Sequence, residues 1–503
     1  MAKERKKTNR MSEMMKEITK VFLFVMICIF PFYYQNHYID IVFAKRSFFE
    51  VSAIVLLLLS VVFVIPAALQ EIRKGNPIIK LSQTDYFAIL FLVTVTFSCL
   101  LSPAGSEAFF GTKGRQLGGA ILLLCACVYF IVSRFYTSGQ LLLWGLFLSN
   151  CLLCVLTVLN FWGLDPLHMY GNLVESEYTY FIGTMGNVNI NAGYIGMVSV
   201  LFMGFYYVNE EKLSERCFWG ALLLCIYSCF ATRSDSWLLA VGGAYCVILA
   251  FAMKDVKKLQ KFWNLCMAFF AGSVLMKLTE CIDRFAGTGN VWIEDFRKQT
   301  RLYTLLDWKI LFVELLLAVL GWLFIRSRYT RFLGKYGHKI LFGILATMIA
   351  VAAILVLPLQ DSFGSNRGYI WKRTIANFRK MPFLQQLFGY GPNCFLQSME
   401  KNYGAEMRTR FGPVFIDAHN ELLQFLAVTG IFGMISYMGM QISLLVSCIR
   451  QRSTQPLAVV GIIGITAYML QGLVNNPQVF TTPLLFLFLG IMDKLINRKN
   501  ELL

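Results

Sequence analysis

Four histidines occur in the chain, at 37, 168, 338 and 419, and His419 stands where chemistry is feasible. It lies in AHNELLQFLAVTGIFG, where a basic segment gives way to an apolar one. A neutral imidazole accepts a proton well near pH 7, although a lone histidine at a membrane boundary is more often a plain interfacial residue. The preceding segment, Gln360 to Asn420, carries Arg367, Lys372, Arg373, Arg379, Lys380, Lys401, Arg408 and Arg410 against Asp361, Glu400, Glu406 and Asp417. That excess asks for an anionic partner, either a ligand or the headgroups of membrane lipids, which attract each basic residue near the surface by about 1 kcal/mol. No HExxH, Asp-rich metal motif, P-loop or GxGxxG pattern is present, so no metal and no cofactor is expected, and any substrate must arrive already activated. Most of the fourteen cysteines, such as Cys125, Cys151, Cys154 and Cys225, fall in apolar stretches and read as helix-packing residues. Cys281 and Cys394 stand apart, and an oxidising compartment would allow them to pair.

These residues must be positioned by a membrane-embedded scaffold. With 503 residues, 57% apolar and only 15% charged, and a mean hydropathy of +0.59, the chain exceeds what a soluble core can bury. Collagen-like, disordered and nucleic-acid-binding readings are excluded by the same composition. Apolar segments near 18–34, 51–69, 85–101, 118–136, 141–161, 191–208, 217–232, 236–253, 263–279, 306–325, 339–359, 421–449, 456–474 and 481–496 predict an all-α polytopic membrane protein with about fourteen spans. The net charge of +17 reports topology first. The basic residues ahead of Ile18 read as a retained signal anchor, and alternation then puts Arg73-Lys74, the Lys254 to Lys261 cluster, Arg326 to Lys335, Arg450/Arg452 and both termini in the cytoplasm. Three sizeable outer segments remain, the longest being 360–420. Glu314 falls inside a predicted span, where a carboxylate requires a basic partner.

Within 360–420, RGYIWKRTIANFRK from Arg367 to Lys380 has amphipathic spacing, with Trp371 and Phe378 as interfacial anchors. In PFLQQLFGYGPNCF, Pro382, Gly389 and Gly391 permit a tight turn. Taken with His419-Asn420 leading to Gly430 and Gly433, these stretches resemble the superfamily of O-antigen ligases and O-antigen polymerases, polytopic membrane glycosyltransferases. GTMGNVNINAGY from Gly183 to Tyr194 and FGTKGRQLGG from Phe110 to Gly119 are similar to two earlier segments of that family, so the likeness spans 110–433 in the family's order. ATRSDSWLLA departs from it: the family usually has Ser-Arg there, whereas Arg233 precedes Ser234 and Asp235 stands in the arginine's place.

The resemblance implies transfer of a glycan from a polyprenyl (undecaprenyl) diphosphate carrier to a hydroxyl on a lipid or glycan acceptor, at the outer face of the cytoplasmic membrane, in building cell-surface polysaccharide. Without a metal, charge developing on the leaving diphosphate falls to arginine, whose planar fork pairs with phosphate oxygens. Arg115, Arg233, Arg367 and Arg373 are the candidates for that work. His419 is the candidate base, with contact to the leaving group as a variant. Asn187 and Asn189 are candidate sugar ligands, or merely the cap of a helix. Two other classes stay open. A flippase of polyprenyl-linked oligosaccharide would hold its arginines in a central cavity reached from both sides, and an envelope scaffold would not need His419 or Arg367.

Overall fold

The computed structural model describes residues 2–73, 80–253, 255–326 and 360–498, and among them every regular element is a helix; the only β pairing is an isolated bridge between Phe181 and Asn187. Helices dominate because the hydrocarbon of a bilayer offers no partner for a free N–H or C=O. By length and hydropathy, eight described helices can cross a membrane: α2 (Ile41–Arg73, through Val64), α3 (Gln83–Leu100), α6 (Gln140–Phe161), α7 (Val188–Val208), α8 (Lys212–Ala231), α10 (Val256–Ala286), α13 (Trp308–Arg326) and α17 (Glu421–Gln451). Shorter apolar helices are α5 (Gly119–Phe135), α9 (Leu238–Ala252) and α18 (Pro456–Gly472), and α19 (Thr482–Asn497) closes the bundle. The expected span 339–359 lies outside the described residues. All fourteen cysteines are free thiols, Cys281 and Cys394 among them. Glu314, in α13, has a buried carboxylate oxygen with no hydrogen-bond partner among the described residues, so the expected basic partner is not found there.

Helix α17 packs along α3, α19 along α5, and α18 against α7 and α9. At one end of the bundle, charges are buried as a network. Asp85 receives Arg134 (2.9 and 3.0 Å), the Tyr129 hydroxyl (3.1 Å) and Arg498, while Arg498 also reaches Asp493 (2.9 Å) and the Lys80 carbonyl (2.7 Å). It joins the start of α3 to the ends of α5 and α19.

The first helix, α1 (Ala2–Phe24), loosens into a π turn (Val25–Ile29) and a 3-10 turn (Phe30–Phe32). Two carbonyls at this break, Phe30 O and Pro31 O, accept from the wholly buried Lys45 of α2 at 2.7 and 2.8 Å, and Thr184 adds a bond to Pro31 O.

The segment 360–420 folds into α14 (Phe363–Lys380), α15 (Phe383–Phe388) and α16 (Phe395–Phe411), which share a small core of Tyr369, Ile370, Phe395, Met399 and Met407 with Ala427 and Val428 of α17. The turn foreseen around Gly389 fastens them. Tyr390 N and Gly391 N donate to Ala427 O (3.0 Å) and Val428 O (2.9 Å), carbonyls left free because α17 kinks at Gly430 (φ 73°, ψ −172°). A Cβ on Gly430 would stand 2.3 Å from Leu387 O, and one on Gly389 2.2 Å from the Val428 carbonyl carbon.

Two outcomes follow for the purified protein in detergent. Gly430→Ala should cost at least about 2 kcal/mol, since that backbone conformation is nearly exclusive to glycine; a thermal midpoint equal to the parent's, read by thiol-reactive dye, would remove the junction from the account. Asp85→Ala, which leaves two buried guanidinium groups short of an anion, should cost about 3–5 kcal/mol, and an unchanged midpoint would show that the network contributes nothing.

Candidate functional site

At the other end of the bundle, where α5, α7, α9 and α17 begin and α8 and α18 end, the chain gathers polar residues from distant segments. His419 has left-handed backbone geometry (φ 47°) just before Asn420, which caps α17 by accepting from Leu423 N (3.0 Å) and donates to Leu473 O (3.0 Å). Asp417, 1% exposed, accepts from His419 N (3.1 Å) through Oδ1, which also lies 3.3 Å from His419 Nδ1. Its Oδ2 accepts from Arg115 Nε at 2.8 Å. The same imidazole nitrogen is 3.3 Å from the Asn476 amide. Arg115 is held in place because Asn393 ties down its loop, accepting from Leu117 N (3.2 Å) and donating to Lys113 O (2.7 Å).

Arg367 enters from α14. Three successive left-handed residues, Gly364, Ser365 and Asn366, turn the chain just before it, and Gly368 follows so tightly that a Cβ there would stand 2.0 Å from Gln360 O. Trp371, one turn on, donates to Ala418 O (3.0 Å) and so docks α14 on the Asp417–His419 segment. The Arg367 guanidinium is half-buried and makes no hydrogen bond or ion pair among the described residues; burial lowers its pKa while Asp235 and Asp417 oppose that.

The electrostatics fix protonation states. For Asp417, burial works against ionisation, but Arg115 and His419 outweigh it and hold the carboxyl below its usual range. For His419, burial lowers the pKa below the ordinary 6.5, Asp417 pulls it up, and Arg115 and Arg367 push it down again. The imidazole is therefore neutral at pH 7.

The remaining sequence candidates have other surroundings. Asn187 caps α7, accepting from Asn189 N (2.9 Å), which is the capping alternative raised for it. Asn189 is exposed and accepts from Ser234 at 2.6 Å. Arg233 is turned inward: its side chain, 1% exposed, pairs with Asp295 (3.2 Å) and donates to Thr179 O (2.7 Å). Its neighbour Asp235 faces Arg301 instead (3.1 Å), close enough to Arg367 to act on its charge. Arg373 pairs with Glu406 on α16 (2.6 Å), its guanidinium lying over the Tyr369 and Tyr403 rings. The structure thus brings together Arg115, Arg367 and His419, and directs Arg233 and Arg373 to carboxylates of their own.

Asp417, Arg301 and Asn476 were not singled out by sequence. The Asp-x-His spacing at a helix start was the available signal for Asp417; for Asn476 there was none. Among the described residues no three His, Cys, Asp or Glu side chains gather as a metal-ligand set.

Comparison with known families found no matching family model, and comparison with curated proteins found no match.

If Arg367 and His419 share one site, they are coupled through charge. By NMR in detergent the His419 imidazole should titrate below 6.5, and Arg367→Ala should raise that midpoint, because a repelling cation is gone. A midpoint indifferent to Arg367 would separate the two residues.

Proposed function

We propose that this chain is a membrane glycosyltransferase of the ligase and polymerase type. In this reading about fourteen spans cross the cytoplasmic membrane, both termini are cytoplasmic, and the site opens on the outer face. The substrate is a glycan on a polyprenyl diphosphate, and the acceptor is a hydroxyl of a lipid or a second glycan. The observation that carries the reading is the pairing of an uncommitted guanidinium with a neutral imidazole. Arg367 has no partner among the described residues, and Arg115 is tied only through Nε, so both have nitrogens to offer a diphosphate. His419 is held through its backbone N, which donates to Asp417 Oδ1, and that oxygen lies 3.3 Å from Nδ1.

Chemically, the acceptor oxygen attacks the anomeric carbon as the bond from that carbon to the diphosphate oxygen breaks. The electron pair leaves with the diphosphate, where Arg367 and Arg115 meet the charge, and the hydroxyl proton passes to His419 Nε2. Asn189 and Ser234, exposed and buried neighbours at the start of α7 and α9, offer polar atoms to a sugar.

A carrier that moves the same lipid-linked glycan across the membrane is the second reading, and it would need a path through the bundle. A chamber of about 550 Å³ between α6, α7, α18 and α19 runs from Tyr136 and Gln140 at the bundle's far end to Tyr194, Tyr468 and Thr481 at the site end, lined almost wholly by apolar side chains such as Leu146, Leu201 and Phe488. Under the transferase reading the same space suits the isoprenoid chain.

Reconstitution in proteoliposomes separates them. With a polyprenyl-diphosphate glycan, candidate acceptors and a chelator of divalent metals, the parent should form product, while His419→Ala should lose about 10²–10⁴-fold and Arg367→Ala about 10²–10³-fold in rate. Equal product from folded variants would reject the site, and leaflet-to-leaflet movement of the donor without any transfer would establish the carrier.

A further inference from the structure

We propose that Asp417 is the positioning residue of this site: one buried carboxylate fixes Arg115 through Oδ2 and His419 through Oδ1, leaving free the arginine's terminal nitrogens and the imidazole Nε2. The inference rests on the transferase reading for its kinetic consequence and on geometry alone for its titration.

The geometry is specific to a carboxylate. Oδ2 accepts Arg115 Nε at 2.8 Å from a residue 302 positions away, and Oδ1 meets both the backbone N (3.1 Å) and the ring Nδ1 (3.3 Å) of His419. Two groups compete for Nδ1. The Asn476 amide nitrogen lies at the same 3.3 Å distance, but the full negative charge of Asp417 Oδ1 beside Nδ1 favours the tautomer with the proton on that nitrogen. Nδ1 therefore carries the proton. Asn476 Oδ1, otherwise buried without a partner, becomes a second acceptor when the amide is turned over. Selection of this tautomer leaves the Nε2 lone pair to take a proton from a hydroxyl. Meanwhile the arginine, gripped at Nε, keeps both terminal nitrogens of its fork for phosphate oxygens. A single side chain thus sets the base and one leaving-group contact in fixed relation.

The charged groups around the imidazole are Asp417, Arg115 and Arg367. Asp417→Asn removes the only anion of the three and leaves two cations, so protonation of His419 becomes harder. With ¹³C-histidine labelling and His419→Gln to assign its signal among the four histidines, Asp417→Asn should lower the His419 midpoint by about one unit or more. In the transfer assay its kcat should fall about 10²-fold, with the acid limb of the pH profile moved to lower pH. Asp417→Glu keeps the charge while displacing it, so its midpoint should stay near the parent's and its kcat should recover part of the loss. That variant also carries the test if Asp417→Asn does not fold, because a glutamate variant whose midpoint drops as far as a neutral one's is expected to would overturn the proposal. An unchanged midpoint in folded Asp417→Asn overturns it whatever the activity. A lowered midpoint in a protein whose parent transfers no glycan supports the positioning role and rejects the transferase reading instead.

Discussion

The architecture depends on one constraint: a charge within a membrane-embedded bundle is costly unless it is paired or reaches the bundle's end. Asp85, Arg134, Asp493 and Arg498 satisfy it at one end as a closed network. At the other, Asp417 pairs with Arg115, Arg233 with Asp295, and Glu280 with Lys277, Arg284 and Arg297. Against that background Arg367 stands out, since it is half-buried and its charge is met only at a distance. Three left-handed residues and Gly368 keep the guanidinium in that condition, which under the proposed reading leaves it for the diphosphate.

Holding Arg367 there is the task of 360–420, and the task is solved by backbone contact more than by side chains. The kink at Gly430 frees two carbonyls of α17, the turn at Gly389–Gly391 takes them, and Ser98 and Ser102 of the α3 region bind Val428 O and Tyr390 O in turn. The glycines that look unremarkable one at a time in the sequence meet here face to face.

Much of this was legible in the sequence. Hydropathy located the helices because burial of apolar surface is local and periodic, and each expected span within the described residues overlaps a helix or, near residue 30, continues one through the π and 3-10 turns. His419 and Arg367 were legible through their neighbours: a helix start in one case, an amphipathic repeat in the other. The partners of these and of the other candidates were not, because a charge count records that a cation exists and not which carboxylate it finds. Arg233 and Arg373 satisfy the same phosphate-binding chemistry as Arg367 on paper, yet Asp295 and Glu406 take them. Trp371 gives its indole N–H to the Ala418 carbonyl, between Asp417 and His419. These pairings join segments tens to hundreds of residues apart, where no spacing rule applies.

The bond between Lys45 and the carbonyls of Phe30 and Pro31 has a bearing on biogenesis. Inserted alone, the segment 18–34 would carry Pro31 O into lipid with its dipole unanswered and Phe30 O with only the Tyr33 N–H, a cost of several kcal/mol. The ammonium that answers them belongs to the next segment, which could not itself enter lipid uncompensated. Each is therefore costly to insert without the other, which favours entry of the two segments together as a helical hairpin.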